Sequence, residues 1–167
     1  LAGYEHAIRL WTVVLEISVL MAQYPSRVVA ERSHRYRTLG LGYANLGALL
    51  MVEGIPYDSP QALAQTGALT AILSGAAYAT SAELAGELGA FEGFAGNREG
   101  MLRVIRNHRR AAHDAPAAEY EALTVLPAGL DQAIGDGDDL QAGLLDAARG
   151  AWDRALELGE RHGYRNA

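Results

Sequence analysis

Apolar residues recur along most of this chain every three or four positions, the spacing of one helix face, and only once do they alternate with period two. The first helical run spans Ala2 to Gln23 and stops before Pro25. Its apolar residues, among them Ile8, Leu10, Trp11, Val14, Ile17, Val19 and Met21, go nearly all round the helix, which predicts burial between layers. A short helix follows from Ser26, its N-cap, to about Tyr36, with Arg27, Glu31 and Arg35 at four-residue spacing. Thr38 to Tyr43 breaks the pattern. Leu39, Leu41 and Tyr43 alternate with Gly40 and Gly42, which predicts a short strand with both glycines on one side and room there for a backbone, a side chain or a ligand. Helical spacing returns over Asn45 to Glu53, and Gly54 with Pro56 closes that helix.

Ser59 as N-cap and Pro60 at the first helical position open a long helix that runs towards Gly89. Its small residues, such as Ala68, Ala71, Gly75, Ala79 and Ala82, are spaced for close packing on a neighbouring backbone. Gln61, Gln65, Glu83 and Glu87 set it apart from a membrane helix pair. Asn97 is the expected cap of the next helix, which ends near His113. Residues 114–138 read as an irregular connection punctuated by Pro116, Pro127, Gly129, Gly135 and Gly137, with a helical turn near Ala118 to Leu123. The last helix runs from Asp139 to about Arg161, with Gly163 as its C′ residue. The fold class that follows is mainly α, about six helices with one or two short strands.

Composition narrows the functional classes. The chain has 167 residues and is half hydrophobic, enough for one domain with a real core. A net charge of -6 argues against a nucleic-acid partner, and the apolar run Leu10 to Ala22 is too short to cross a bilayer and carries Glu16, so no membrane partner is expected either. Nothing at the start resembles a signal peptide. The chain contains no cysteine, which excludes disulfides and thiolate metal sites.

Candidate chemistry is sparse. Gly40 and Gly42 after a strand suggest a dinucleotide loop, but the third glycine falls at the wrong spacing. His6, His34, His108, His113 and His162 include no helical zinc pair, and Asp136, Asp138 and Asp139 read as a solvated turn, so no metal site is expected. Arg98, Arg103, Arg106, Arg109 and Arg110 make one basic patch, either a solvated helix face or a contact for an anionic partner. Glu16, Glu83 and Glu87 are carboxylates with no nucleophile evident opposite them. Gly40, Gly42 and Asn45 are the best candidates for lining a cavity, against the alternative of close strand packing plus a helix cap.

The wording Arg37-Thr38-Leu39-Gly40-Leu41-Gly42-Tyr43-Ala44-Asn45-Leu46-Gly47, continued by Gly54-Ile55-Pro56-Tyr57-Asp58-Ser59, resembles the large catalytic subunit of ribonucleotide reductases, specifically the adenosylcobalamin-dependent class II enzymes. His6 to Ser26, Tyr78 to Ala85, Met101 to Ala112, Ala151 to Gly159 and His162 to Ala167 agree in the same order, and the match fades between Pro116 and Leu140. The resemblance implies that residues 1–167 are an internal fragment of the ten-stranded α/β catalytic barrel, with 114–138 as an irregular connection. It implies a parent enzyme that converts ribonucleotides to deoxyribonucleotides with adenosylcobalamin, in the cytoplasm. Its implied partners are the remainder of the same barrel, a ribonucleotide substrate and an allosteric nucleotide, and it leaves room for a homodimer. The radical cysteine and the reducing cysteine pair of that family have no counterpart here, so no catalytic residue is assigned and the segment's expected role is scaffold. A class I large subunit and a stand-alone helical interaction module are the alternatives.

Overall fold

The computed structural model of the chain describes residues 1–127 and 139–167. Among the described residues are six α-helices: α1 (Ala2–Met21), α2 (Arg27–Tyr36), α3 (Leu46–Glu53), α4 (Pro60–Leu88), α5 (Phe94–Ala112) and α6 (Asp139–His162), with a 3₁₀ turn at Ala117–Glu119. Their caps follow from local chemistry. Ser26 Oγ accepts from the Val29 amide at 3.3 Å, Ser59 Oγ accepts from Ala62 at 3.1 Å, and Gly163, with φ +74°, follows α6.

The long helix α4 is the centre of the fold. It packs along α6 on one side and carries α1 on another, while α5 lies against α6. The small residues of α4 make this possible: a Cβ on Gly75 would lie 2.9 Å from Ala151 Cβ and 3.0 Å from its carbonyl carbon, so the two backbones nearly touch. One core cluster gathers Phe91, Phe94, Leu102, Ile105, Trp152 and Tyr164, and a second gathers Ile8, Ala68, Ile72, Leu73 and Leu144.

Four expectations are corrected. First, the α5 helix begins at Phe94 with Gly93 as its cap, a turn before Asn97, whose Nδ2 instead donates back to the Gly93 carbonyl at 2.7 Å. Burial of Phe94 between Phe91 and Tyr164 draws the helix start upstream. Second, the helical turn near Ala118 to Leu123 is confined to Ala117–Glu119. Third, α1 is not buried all round: Ile8, Thr12, Glu16 and Val19 form one buried stripe, while Trp11 is 55 % and Met21 77 % exposed. Among the described residues α4 and α2 are the helices that pack against it, and its other faces are uncovered by them.

Fourth, Thr38 to Tyr43 forms no strand, and the one or two short strands expected are absent among the described residues. A strand is defined by ladder bonds to a neighbour, and among the described residues none lies beside this segment. The alternation survives all the same. Leu39 and Leu41 are half-buried, whereas Gly40 and Gly42 are exposed with nothing within 4 Å of where a Cβ would stand. Of the irregular connection, residues 115–127 other than the 3₁₀ turn carry no regular element; 128–138, with Asp136 and Asp138, lie outside the described residues.

Candidate functional site

Glu16 sits in the middle of α1 with 3 % of its surface exposed, and Arg37, at 4 %, is the other charged residue buried among the described ones. The stripe Ile8, Thr12, Glu16 faces α4, so the carboxylate points into the protein. Donors from two distant segments converge on it. Arg37, left-handed at φ 53° as the residue closing α2, gives Nε to Oε1 at 2.8 Å and Nη2 to Oε1 at 2.5 Å. From the C-terminal tail, Arg165 Nε donates to Oε1 at 2.8 Å and Asn166 Nδ2 donates to Oε2 at 2.7 Å.

Asn166 extends the network. Its Nδ2 also donates to the Arg37 carbonyl at 2.9 Å, its Oδ1 accepts from Ser81 Oγ at 2.9 Å, and its amide donates to Ser81 Oγ at 3.0 Å. The Ala167 amide completes the seam by donating to the Tyr36 carbonyl at 2.9 Å. Burial pushes the Glu16 carboxyl up, but the hydrogen bonds from Arg37, Arg165 and Asn166 and the charge of Arg37 outweigh it and hold the group below the ordinary carboxylate value. Among the described residues no buried side-chain polar atom lacks a partner. The cluster is therefore a closed ionic knot, with no free acid or base to offer a substrate.

Beside the knot is a cavity of about 210 Å³, bounded by Thr12 and Leu15 of α1, Leu39 and Leu41, Tyr78 and Ser81 of α4, and the tail at Asn166 and Ala167. Gly40 and Gly42 present their open side elsewhere. Asn45, left-handed at φ 69° and making no side-chain cap bond, lines a separate cavity of about 270 Å³ with Tyr4, Tyr43 and Leu69. The structure thus does not bring Gly40, Gly42 and Asn45 around one space. Arg37, Ser81, Arg165 and Asn166 escaped sequence reasoning; the one signal was Glu16, a lone charge inside an apolar run.

Several of the remaining candidates resolve into local partnerships. Arg106 and Arg110 grip Glu121 at 2.8 and 2.6 Å and hold its carboxyl down to about 2, and Asn107 ties its backbone at both ends. Arg98 donates to the Glu160 carbonyl. Glu83 is paired with Arg9. His113 meets Asp153 at 3.0 Å, and His108 stacks flat on Trp152 at 4.8 Å, where burial lowers its basicity. No cluster of metal-ligating side chains occurs among the described residues.

The described residues form an α-helical wall with one glycine-punctuated segment folded against it, and comparison with known proteins says to which family this form belongs. The chain belongs to the ribonucleotide reductase barrel-domain family, whose model matches residues 1–167. It is 65 % identical over 167 residues to the vitamin B12-dependent ribonucleotide reductase of Agrobacterium fabrum, covering 100 % of this chain and 13 % of that protein. It is 61 % identical over 165 residues to the protein of the same name in Bradyrhizobium diazoefficiens, covering 99 % of this chain and 13 % of the relative. The vitamin B12-dependent ribonucleoside-diphosphate reductase of Mycobacterium tuberculosis is 31 % identical over 125 residues, 75 % of this chain and 17 % of that protein. The chain therefore spans a small part of the length of the relatives it matches.

Proposed function

We propose that this chain is a wall segment of the catalytic barrel of an adenosylcobalamin-dependent ribonucleotide reductase, an enzyme that replaces the ribose 2′-hydroxyl of a ribonucleotide with hydrogen. The observation that carries the reading is the family match from residue 1 to residue 167, joined to relatives whose names specify vitamin B12. The same names favour class II over class I. An end-to-end barrel-domain match also disfavours a stand-alone helical module. A ribonucleotide substrate, an allosteric nucleotide, a cytoplasmic location and a homodimeric assembly belong to this reading of the whole protein, and family membership is their support. No described helix is long and apolar enough to cross a membrane.

The segment's own part is structural. Without cysteine it supplies neither a thiyl radical nor the reducing thiols, which must come from elsewhere in the enzyme. The cofactor would supply radical initiation; the cavities along α1, α4 and α5 hold about 210 to 320 Å³ each, so none of them by itself encloses a ligand the size of a corrin. What the chain provides is a stiff α4–α6 pair, the exposed apolar face of α1 for the rest of the barrel, and the 38–43 segment, whose half-buried leucines pack inward while Gly40 and Gly42 leave the other side open for a neighbouring strand or the reaction site.

The test is a chimera in which this chain replaces the matching segment of the Agrobacterium protein. It should convert ribonucleotides to deoxyribonucleotides only when adenosylcobalamin is added, and the 167-residue chain alone should form none. A folded chimera without turnover, or product from the isolated chain, would overturn the reading.

A further inference from the structure

The Glu16 knot is an unusual place for charge. Taking the Glu16 carboxylate and the Arg37 guanidinium out of water, with Arg165 left partly exposed, carries a desolvation penalty, and an apolar core of the same volume is often as stable or more so. What such a knot supplies is one arrangement out of several, because its donors and acceptor meet in only one geometry. Here the arrangement is specific: one carboxylate joins the residue that leads into Thr38–Tyr43 to the tail residues Arg165 and Asn166. Asn166 reaches back to the Arg37 carbonyl, and Ala167 to that of Tyr36. The two segments so joined supply Leu39, Leu41, Asn166 and Ala167 to one cavity.

We infer that Glu16 is a positioning residue: it fixes the placement of the 38–43 segment against the 164–167 tail, and the turnover of the complete reductase depends on that placement. This rests on the reductase reading above, and its test uses the same chimera. The decisive variant replaces all three ions together, Glu16→Met, Arg37→Met and Arg165→Met, leaving a core of similar volume without buried charge. Three quantities are compared with the parent chimera: the melting temperature, the hydrogen exchange of the Asn166 and Ala167 amides, and kcat against KM for the ribonucleotide.

The expected result is a melting temperature near that of the parent, with exchange at Asn166 and Ala167 roughly tenfold faster or more. The same variant should lose roughly tenfold or more in kcat, with KM little changed, the signature of misplacement without loss of binding. Unchanged exchange and turnover in a stable triple variant would overturn the inference, since the ions would then not select the arrangement. A triple variant that fails to fold or melts far below the parent would overturn it too, by showing that the ions simply hold the fold. Should the parent chimera itself lack turnover, the reductase reading falls, and the exchange comparison alone still decides whether Glu16 places the tail.

Discussion

Gly75→Ala should destabilise this protein at a position where helix propensity alone predicts the opposite. On an exposed helix, replacing glycine by alanine gains about 1 kcal/mol, because alanine loses less backbone entropy on folding. At Gly75 the added Cβ would stand 2.9 Å from Ala151 Cβ, 3.0 Å from its carbonyl carbon and 3.1 Å from the Trp152 amide nitrogen. Two of these are backbone atoms of α6, which cannot swing aside as a side-chain end would, and Trp152 and Ala151 are themselves buried. The helices must separate, at an overpacking cost of about 1–3 kcal/mol. Gly100→Ala on α5 is the matched control, since its Cβ meets nothing within 4 Å. The two substitutions share the propensity gain, so their difference isolates the clash. At about 2–4 °C per kcal/mol for a protein of this size, Gly75→Ala should melt roughly 2–12 °C below Gly100→Ala by circular dichroism at 222 nm. Equal increases in melting temperature for both variants would refute the close α4–α6 crossing.

Three further outcomes are expected. Because the folded pKa of Glu16 lies below its unfolded value of about 4.5, the unfolded chain binds more protons at acid pH; stability should be full above that value and fall as pH drops through the depressed one. Denaturation midpoints measured across this range should slope less in Glu16→Gln, and an unchanged slope would count against the knot. His108 is held neutral below its ordinary value of 6.5, so in a Trp11→Phe background the fluorescence of Trp152 should drop only as pH falls beneath that value, when an imidazolium forms against the indole. The step should vanish in His108→Gln, and its persistence would mean the stack is not its source. Gly42→Val should shift the melting temperature of the 167-residue chain by no more than about 1–2 °C, since its Cβ meets open space, yet lower the turnover of the chimera. Full turnover there would show that no neighbouring strand or site lies on the glycine side.

What the sequence made legible were features settled within a few residues. Ser26 and Ser59 cap their helices, Pro60 opens α4, Gly163 closes α6, and the small residues of α4 admit the backbone of α6. What stayed hidden depends on distant chain. The partners of Glu16 lie 21, 149 and 150 residues away, and no local spacing indicates that Arg37, Arg165 and Asn166 share one carboxylate. The start of α5 was misplaced for the same reason: Asn97 is a good local cap, but the aromatic cluster of Phe91, Phe94 and Tyr164 overrides it.

The two failed expectations about α1 and the 38–43 segment have a common physical cause. A helix apolar on nearly every face and a segment with strand alternation both state a demand for neighbours, and a sequence pattern records the demand whether or not the neighbours are in the same stretch of chain. Among the described residues the demand is met on one side only: the stripe of Ile8 and Val19 is covered while Trp11, Leu20 and Met21 are not, and Leu39 and Leu41 pack inward while the glycine side meets none of them. The chain matches a barrel-domain family over every residue and spans 13 % of the length of its Agrobacterium relative, and under the proposed reading the neighbours that both patterns ask for would lie in the rest of such a protein. The knot at Glu16 lies where these two incomplete surfaces meet: it ties α1 both to Arg37, which leads into the 38–43 segment, and to Arg165 and Asn166, so the two surfaces are held in one relative placement within the chain itself.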